Sequence, residues 1–332
     1  MNFYVKRLFL NPCNNSQNNF THKNIYLKSN NNYIKNKFIN ALSNKFYNIK
    51  TNYIYFHDDF KTNYINALLM PELNFSISSF NDENSSHMID LNSTIKNYSE
   101  DNIKNLKDNI SSMHKDFSNI ICKINELFSS ICKNHSLNLN KDKFYDFKYY
   151  FINHIFKNPT EKTPFKISEY LISSVGIEGF KTFSNYLPHD ENKVFVINDD
   201  FNIFKPLLLN EIFNKAMDLN ISVEIYRNPL NKKIIDHIKI PSLNVCIISN
   251  NFLFNEKVPG VQINSEDFSL NKISFKETKH DYENITLLIK DLNLLCTTLR
   301  KNYNELYKFF DDYVIENKFN DLVFNTLKNV IR

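Results

Sequence analysis

Two lysines, Lys35 and Lys205, each open a helix-forming stretch directly after an apolar strand-forming stretch and a polar turn. A side-chain ammonium there stands beside the unpaired N–H groups of a helix start, where anions are held. His57, Asp58 and Asp59 form a second polar cluster, with the residue types of a metal or acid/base site but no partner at ligand spacing. Asp236 and His237 are adjacent in a segment read as helix or turn; neighbours there point different ways, which suits a structural role. The five cysteines, Cys13, Cys122, Cys132, Cys246 and Cys296, are odd in number, widely spread and without a C-x-x-C pair. That pattern argues against a disulfide framework or a zinc site and for buried thiols.

Glycine bounds the chemistry further. The 332 residues include only 3 Gly, namely Gly176, Gly179 and Gly260, where ordinary usage of about 7% gives roughly 23. No intact glycine-rich phosphate loop can be built from them. Asn-rich runs and abundant Lys, Ile, Phe and Tyr mark an AT-rich coding sequence, so lysine by itself says little about function. With 42% hydrophobic residues the chain can pack cores, and its length suits two domains. No apolar run approaches the roughly 18 residues of a membrane span, and the apolar stretch at the start is too short for a secretory signal. No membrane association and a cytoplasmic location are therefore expected. The net charge of +4 hides an asymmetry: residues 1–50 carry eight Lys and Arg and no Asp or Glu, so the rest is net negative. Such a segment can attract phosphate or nucleic acid, although no nucleic-acid motif accompanies it.

The chain contains an internal repeat. KNIYLKSNNNYIKNKFINALSNKF from Lys23 aligns without gaps with KVFVINDDFNIFKPLLLNEIFNKA from Lys193, an offset of 170 residues that still holds at Pro71 and Pro241. The hydrophobic pattern agrees in the same register. Ile25–Leu27 and Val194–Ile197 read as buried strands, Phe38, Leu42 and Phe46 with Leu208, Ile212 and Ala216 as helix faces, and Tyr53–Phe56 with Val223–Tyr226 as second strands. Phe75–Ile77 and Val245–Ile248 read as third strands, so each half predicts strand, helix and strand in a parallel sheet. A lead-in also repeats, Leu8 onward aligning with Leu171 onward. Beyond the third strand both halves turn helical. Ile103, Leu106, Ile110, Met113, Phe117, Ile120, Ile124, Leu127 and Ile131 form one heptad seam, and Ile285, Leu288, Leu292, Leu295 and Leu299 another. Second helices follow around Phe144–Phe156 and Phe319–Ile331, giving intramolecular helical hairpins.

A strand, a turn and a lysine opening a helix, all in tandem, resemble an uncharacterised family of tandem P-loop ATPase-like proteins of spore-forming, low-GC bacteria. Further landmarks carry the likeness: His57 ahead of the Pro-Glu-Leu in Met70–Asn74, the stretch RNPLNKKIIDHIKIPSLN with Pro229, Leu230, Ile235, Asp236, His237 and Pro241, and SSVGIEGF at Ser173–Phe180. The resemblance implies P-loop folds with turns of the form G-G-x-G-T-G-K-S-S, and with them ATP and Mg²⁺. The chain departs at those turns. The first reads Ser29, Asn30, Asn31, Asn32, Tyr33, Ile34, Lys35, Asn36: the lysine stays, the glycines are gone, and Asn36 replaces the metal-binding hydroxyl. Asn tolerates left-handed backbone, whereas β-branched Ile34 resists it. The second reads Asp199, Asp200, Phe201, Asn202, Ile203, Phe204, Lys205, Pro206, which turns two carboxylates toward any phosphate and lacks the hydroxyl. The acid that polarises a metal-bound water at the end of the third strand is also missing, with Ser79 and Ser249 there instead.

The expected protein is thus α/β, with two duplicated P-loop NTPase-like parallel-sheet modules. The first covers 1–160 with its helical hairpin at about 100–157, the second 161–332 with its hairpin at about 279–331. Its expected function is non-catalytic: a pseudo-NTPase whose modules pack on each other and whose hairpins meet a protein partner, with no catalytic residue, no metal site and no required cofactor. The alternative retains nucleotide binding through Ser29, Asn30, Asn31, Asn32, Lys35 and Asn36, with Lys205 the counterpart in the second turn and ATP and Mg²⁺ as ligands. Nucleic-acid binding through the basic first 50 residues ranks last.

Overall fold

The computed structural model describes residues 5–9, 23–46, 53–80, 87–157, 165–184, 187, 193–270 and 275–331. They form two compact units, one of residues 1–116, 176–178 and 295–332, the other of 117–175 and 179–294.

The first unit is built on a six-stranded sheet of β1 (Val5–Phe9), β2 (Lys23–Lys28), β3 (Tyr53–His57), β4 (Ile65–Met70), β5 (Phe75–Ser78) and β6 (His87–Asp90), in the order β1-β3-β4-β5-β2-β6. The sheet is mixed rather than parallel throughout. β2 runs parallel to β5 and β6, while β4 lies antiparallel between β3 and β5. β4 follows β3 through a short turn and reaches β5 through a single 3-10 turn, Pro71–Leu73, so no crossover intervenes and the antiparallel arrangement follows. Asn74 closes that turn in the left-handed region at φ 47, which Asn tolerates best among non-glycine residues. Helix α1 (Asn32–Phe46) buries Ile34, Phe38, Ile39, Leu42 and Phe46, a stripe at helical spacing, against Leu68, Met70 and Phe75 of the sheet. Phe319 and Val323 complete this core from the chain's last helix, α6 (Glu316–Ile331), with Phe319 edge-on to Phe38.

The second unit carries a sheet of the same design: β7 (Ile167–Tyr170), β10 (Lys193–Asn198), β11 (Val223–Arg227), β12 (Ile235–Ile240), β13 (Val245–Asn250) and β14 (Val261–Asn264), ordered β7-β11-β12-β13-β10-β14. A hairpin of β8 (Ser173–Gly176) and β9 (Gly179–Thr182) stands apart from it. The correspondence with the first sheet extends to detail. The register shifts at Phe56/His57 and at Tyr226/Arg227, and the turn Pro241–Leu243 ends on left-handed Asn244, all at the 170-residue offset. The lead-in strands match at 162 residues, Val5 with Ile167, one residue away from the expected pairing of Leu8 with Leu171. Asp236 and His237 lie on strand β12, not on a helix or turn, because alternating burial along Ile235–Ile240 is satisfied by sheet neighbours on both sides.

The helices depart most from expectation. Heptad positions Ile103, Ile110, Phe117, Ile124 and Ile131 are buried along α2 (Asp101–Ser136), as Ile285, Leu292 and Leu299 are along α5 (Phe275–Asp312). The short helices that follow do not fold into their own halves. Helix α3 (Lys141–Ile155) puts Phe144, Phe151, Ile152 and Ile155 into the core of the second unit with Phe195, Phe204 and Leu208, and α6 serves the first. The compact units therefore differ from the halves 1–160 and 161–332. Length supplies the reason: 36 residues of α2 rise about 54 Å, and the 15 residues of α3 can retrace only about 22 Å of that.

Candidate functional site

In the second unit β10 ends at Asn198, and the next residue, Asp199, is fully buried. Its Oδ1 accepts the N–H of Ile203 at 2.8 Å, and its Oδ2 accepts those of Phe204 and Lys205, both at 2.9 Å. These N–H groups precede and open helix α4 (Lys205–Asp218), the end of a helix where an external anion would sit. The turn reaches back because Asn202 adopts φ 55 and donates its own N–H to the Asp199 carbonyl at 3.2 Å. Burial raises the pKa of Asp199, and the three N–H bonds oppose that rise. Pro206, without an N–H, occupies a first-turn position where none is needed.

Lys205 is also fully buried. Its ammonium donates to Oδ1 of Asp236, with the Ser249 hydroxyl at 3.4 Å. Oδ2 of Asp236 accepts from Asn228 Nδ2 at 2.9 Å, and Asn228 Oδ1 accepts the N–H groups of Leu230 and Asn231. Beside Asp236, the Nδ1 of His237 accepts the N–H of Ser249 at 3.0 Å, so this nitrogen carries no proton. Burial pushes the His237 imidazole down to about 4.

The first turn is organised differently. Helix α1 begins at Asn32, so Tyr33 and Ile34 are helical rather than part of an open loop. Ile34 is fully buried in the core, and Tyr33 stacks on Tyr307 with ring centroids 5.0 Å apart. Ser29 Oγ accepts the Asn31 N–H at 3.0 Å, Asn31 Oδ1 accepts that of Tyr33 at 2.9 Å, and Asn92 Oδ1 lies 3.5 Å from the N–H of Asn30. The turn thus spends its N–H groups on its own side chains and on Asn92. The Lys35 ammonium donates to the Ser79 carbonyl at 3.2 Å and lies 5.6 Å from the centre of the Tyr26 ring, and burial lowers its pKa. Asn36 Nδ2 donates to the Ile65 carbonyl at 3.1 Å, and its Oδ1 accepts from Asn40, so this carboxamide holds α1 to β4.

A single exchange explains why the lysines differ. Asn66 Nδ2 donates to Asp58 Oδ2 at 2.9 Å in the first unit, where the second has Asn228 donating to Asp236. Acid and amide have traded places at the 170-residue offset, so the carboxylate stands on the strand beside Lys205 but on the turn away from Lys35. Asp58 also accepts the N–H groups of Phe60 and Lys61, which makes it a turn residue. His57 is buried at the end of β3, and among the described residues no group of three or more His, Cys, Asp or Glu could hold a metal. Cys122, Cys132, Cys246 and Cys296 are thiols, with Cys246 and Cys296 buried.

The expected basic surface is partly consumed: Lys35 is buried, and Lys37 is paired with Asp311 at 2.9 Å and Glu316 at 3.1 Å. An unforeseen cluster surrounds Lys61, whose ammonium lies 4.3 Å from the ring centre of Tyr303 and 5.3 Å from that of Tyr64. Burial lowers the Lys61 pKa, while Asp58 pulls it upward. No periodicity joins Lys61 to Tyr303, so only the tertiary structure finds this cluster. No helix among the described residues is long and apolar enough to cross a membrane.

A scan against protein-family models, a search of curated proteins and a search of solved structures each found no match.

Proposed function

We propose that this chain is a pseudo-NTPase: two copies of a P-loop ATPase-like module that have lost catalysis and act as an interaction or scaffold protein. One observation carries the reading. The Asp199 carboxylate accepts the N–H groups of residues 203 to 205, the positions from which a phosphate loop would hold its ligand. A triphosphate there would have to displace a buried carboxylate bonded three times by backbone, and Lys205 would have to leave Asp236. In the first copy the satisfied N–H groups and the helical placement of Ile34 argue in the same direction. The partner is a protein met through exposed apolar side chains on the helices, such as Leu137, Tyr149, Tyr150 and Leu294. The test is Mg²⁺-dependent ATP hydrolysis and equilibrium ATP binding by the full chain. No turnover and no binding at about 1 mM ATP are expected. Turnover abolished by Lys35→Ala overturns the reading.

A second reading keeps ATP, with Mg²⁺, as a ligand of the first copy. It is favoured by Lys35, whose ammonium is bonded to a carbonyl rather than a carboxylate and is open to an anionic partner. It requires ATP binding that Lys35→Ala removes and that survives Lys205→Ala.

A further inference from the structure

Within the second unit a cavity of about 160 Å³ lies beyond the ends of β10, β11 and β13, between the start of α4 and one face of α2. This is the crevice in which open α/β sheets hold ligands. Its chemistry is not that of a phosphate site. No Lys, Arg, Asp or Glu lines it, and the neighbouring helix start is already occupied by the Asp199 carboxylate, which repels a second anion. The wall consists of apolar side chains, Phe128, Leu230 and Phe254 among them, interleaved with carboxamides.

Those carboxamides are unevenly used. Asn202 is about nine-tenths buried, and its Oδ1 has no hydrogen-bond partner. Leaving such an acceptor unpaired costs about 1–3 kcal/mol, which a ligand donor would recover. Asn251 spends its Oδ1 on the N–H groups of Leu253 and Phe254, leaving its Nδ2 to donate. Cys132 also lines the space, but its thiol donates to the Phe201 carbonyl and burial pushes its pKa up to about 12, so it is no nucleophile. An apolar cavity of about 150 Å³ takes benzene, so the volume here suits one six-membered ring.

The geometry points to a binding site for a neutral, single-ring heterocycle with a lactam edge, an N–H beside a C=O, of the size of a pyrimidine base. The N–H donates to the Asn202 carboxamide, the C=O accepts from an amide Nδ2, and the ring faces lie against Phe128 and Phe254. This site is independent of ATP chemistry, so its failure and that of the pseudo-NTPase reading are separate results.

The experiment is isothermal titration of the full chain with uracil, with inorganic phosphate and adenine as comparison probes. Uracil is expected to bind with a Kd of about 1 mM or tighter, and phosphate neither to bind nor to compete. Asn202→Gly keeps the left-handed backbone and removes the amide, and should weaken uracil at least about tenfold. Ser129→Phe, from an exposed position of α2 on the rim, should block the site while leaving the urea midpoint unchanged. Absence of saturable uracil binding, binding that survives both substitutions, or competition by phosphate overturns the proposal. Adenine binding as tightly as uracil overturns the single-ring assignment.

Discussion

The ammonium of Lys205 donates to the carboxylate of Asp236, and both side chains are shut off from water, at 0% and 2% exposure. Removing one partner strands a buried charge, which costs about 3–5 kcal/mol, whereas removing both leaves a neutral site. Lys205→Met is therefore expected to lose that much stability, and Lys205→Met with Asp236→Asn to recover most of it. Lys35→Met, which deletes a cation bonded to a carbonyl, should stay within about 1 kcal/mol of wild type. Urea unfolding of the four proteins checks this, and equal losses at Lys35 and Lys205 would contradict the asymmetry between the two turns.

Asp199 caps α4 from within. Asp199→Ala frees the N–H groups of residues 203 to 205 and should cost about 2 kcal/mol, the upper range for a lost cap. The same change uncovers an anion site, so phosphate should raise the melting temperature of the variant more than that of wild type. A variant indifferent to phosphate would show that the carboxylate does not stand in for an anion.

His237 gives stability a pH dependence. Its pKa in the folded chain is about 4, against 6.5 when exposed, so between these values the unfolded chain binds the extra proton. The contribution is complete above about pH 6.5 and is lost as pH falls toward 4, by about 3 kcal/mol. Protonation also places a proton on the Nδ1 that accepts the Ser249 N–H. Unfolding free energies at pH 7 and pH 4.5 should fall more steeply for wild type than for His237→Gln. Equal slopes would rule out this group as the source.

Gly176 meets the backbone at close range. A Cβ built there comes within 1.9 Å of the Phe60 carbonyl oxygen, which also accepts the Ile177 N–H at 2.8 Å. Gly176→Ala is expected to destabilise by about 3 kcal/mol, at the upper end of overpacking costs. Gly179→Ala, with Asn293 Oδ1 at 3.1 Å and a backbone φ of 78, strains the hairpin without a backbone collision and should cost less. Thermal melts of both variants test the order.

Local pattern by itself determined a good deal of this protein. The 170-residue offset, the strands at Ile25, Tyr53 and Phe75 with their counterparts, the stripe of α1 and the seams of α2 and α5 all follow from apolar spacing, because burial acts on periodicities of two and 3.6 residues. The aligned sequence also held the Asp58/Asn228 and Asn66/Asp236 exchange, legible once the register is known, although nothing local says that the acid on β12 faces Lys205. Only the tertiary structure decided the rest. It set β4 and β12 antiparallel inside each sheet, since short alternating segments do not state which neighbours they pair with. It put α3 in the second core and α6 in the first, since an apolar helix face specifies a partner surface but not which copy supplies it. It turned Asp199 inward to the start of α4, because whether a carboxylate meets a ligand or its own backbone depends on the path of a four-residue turn.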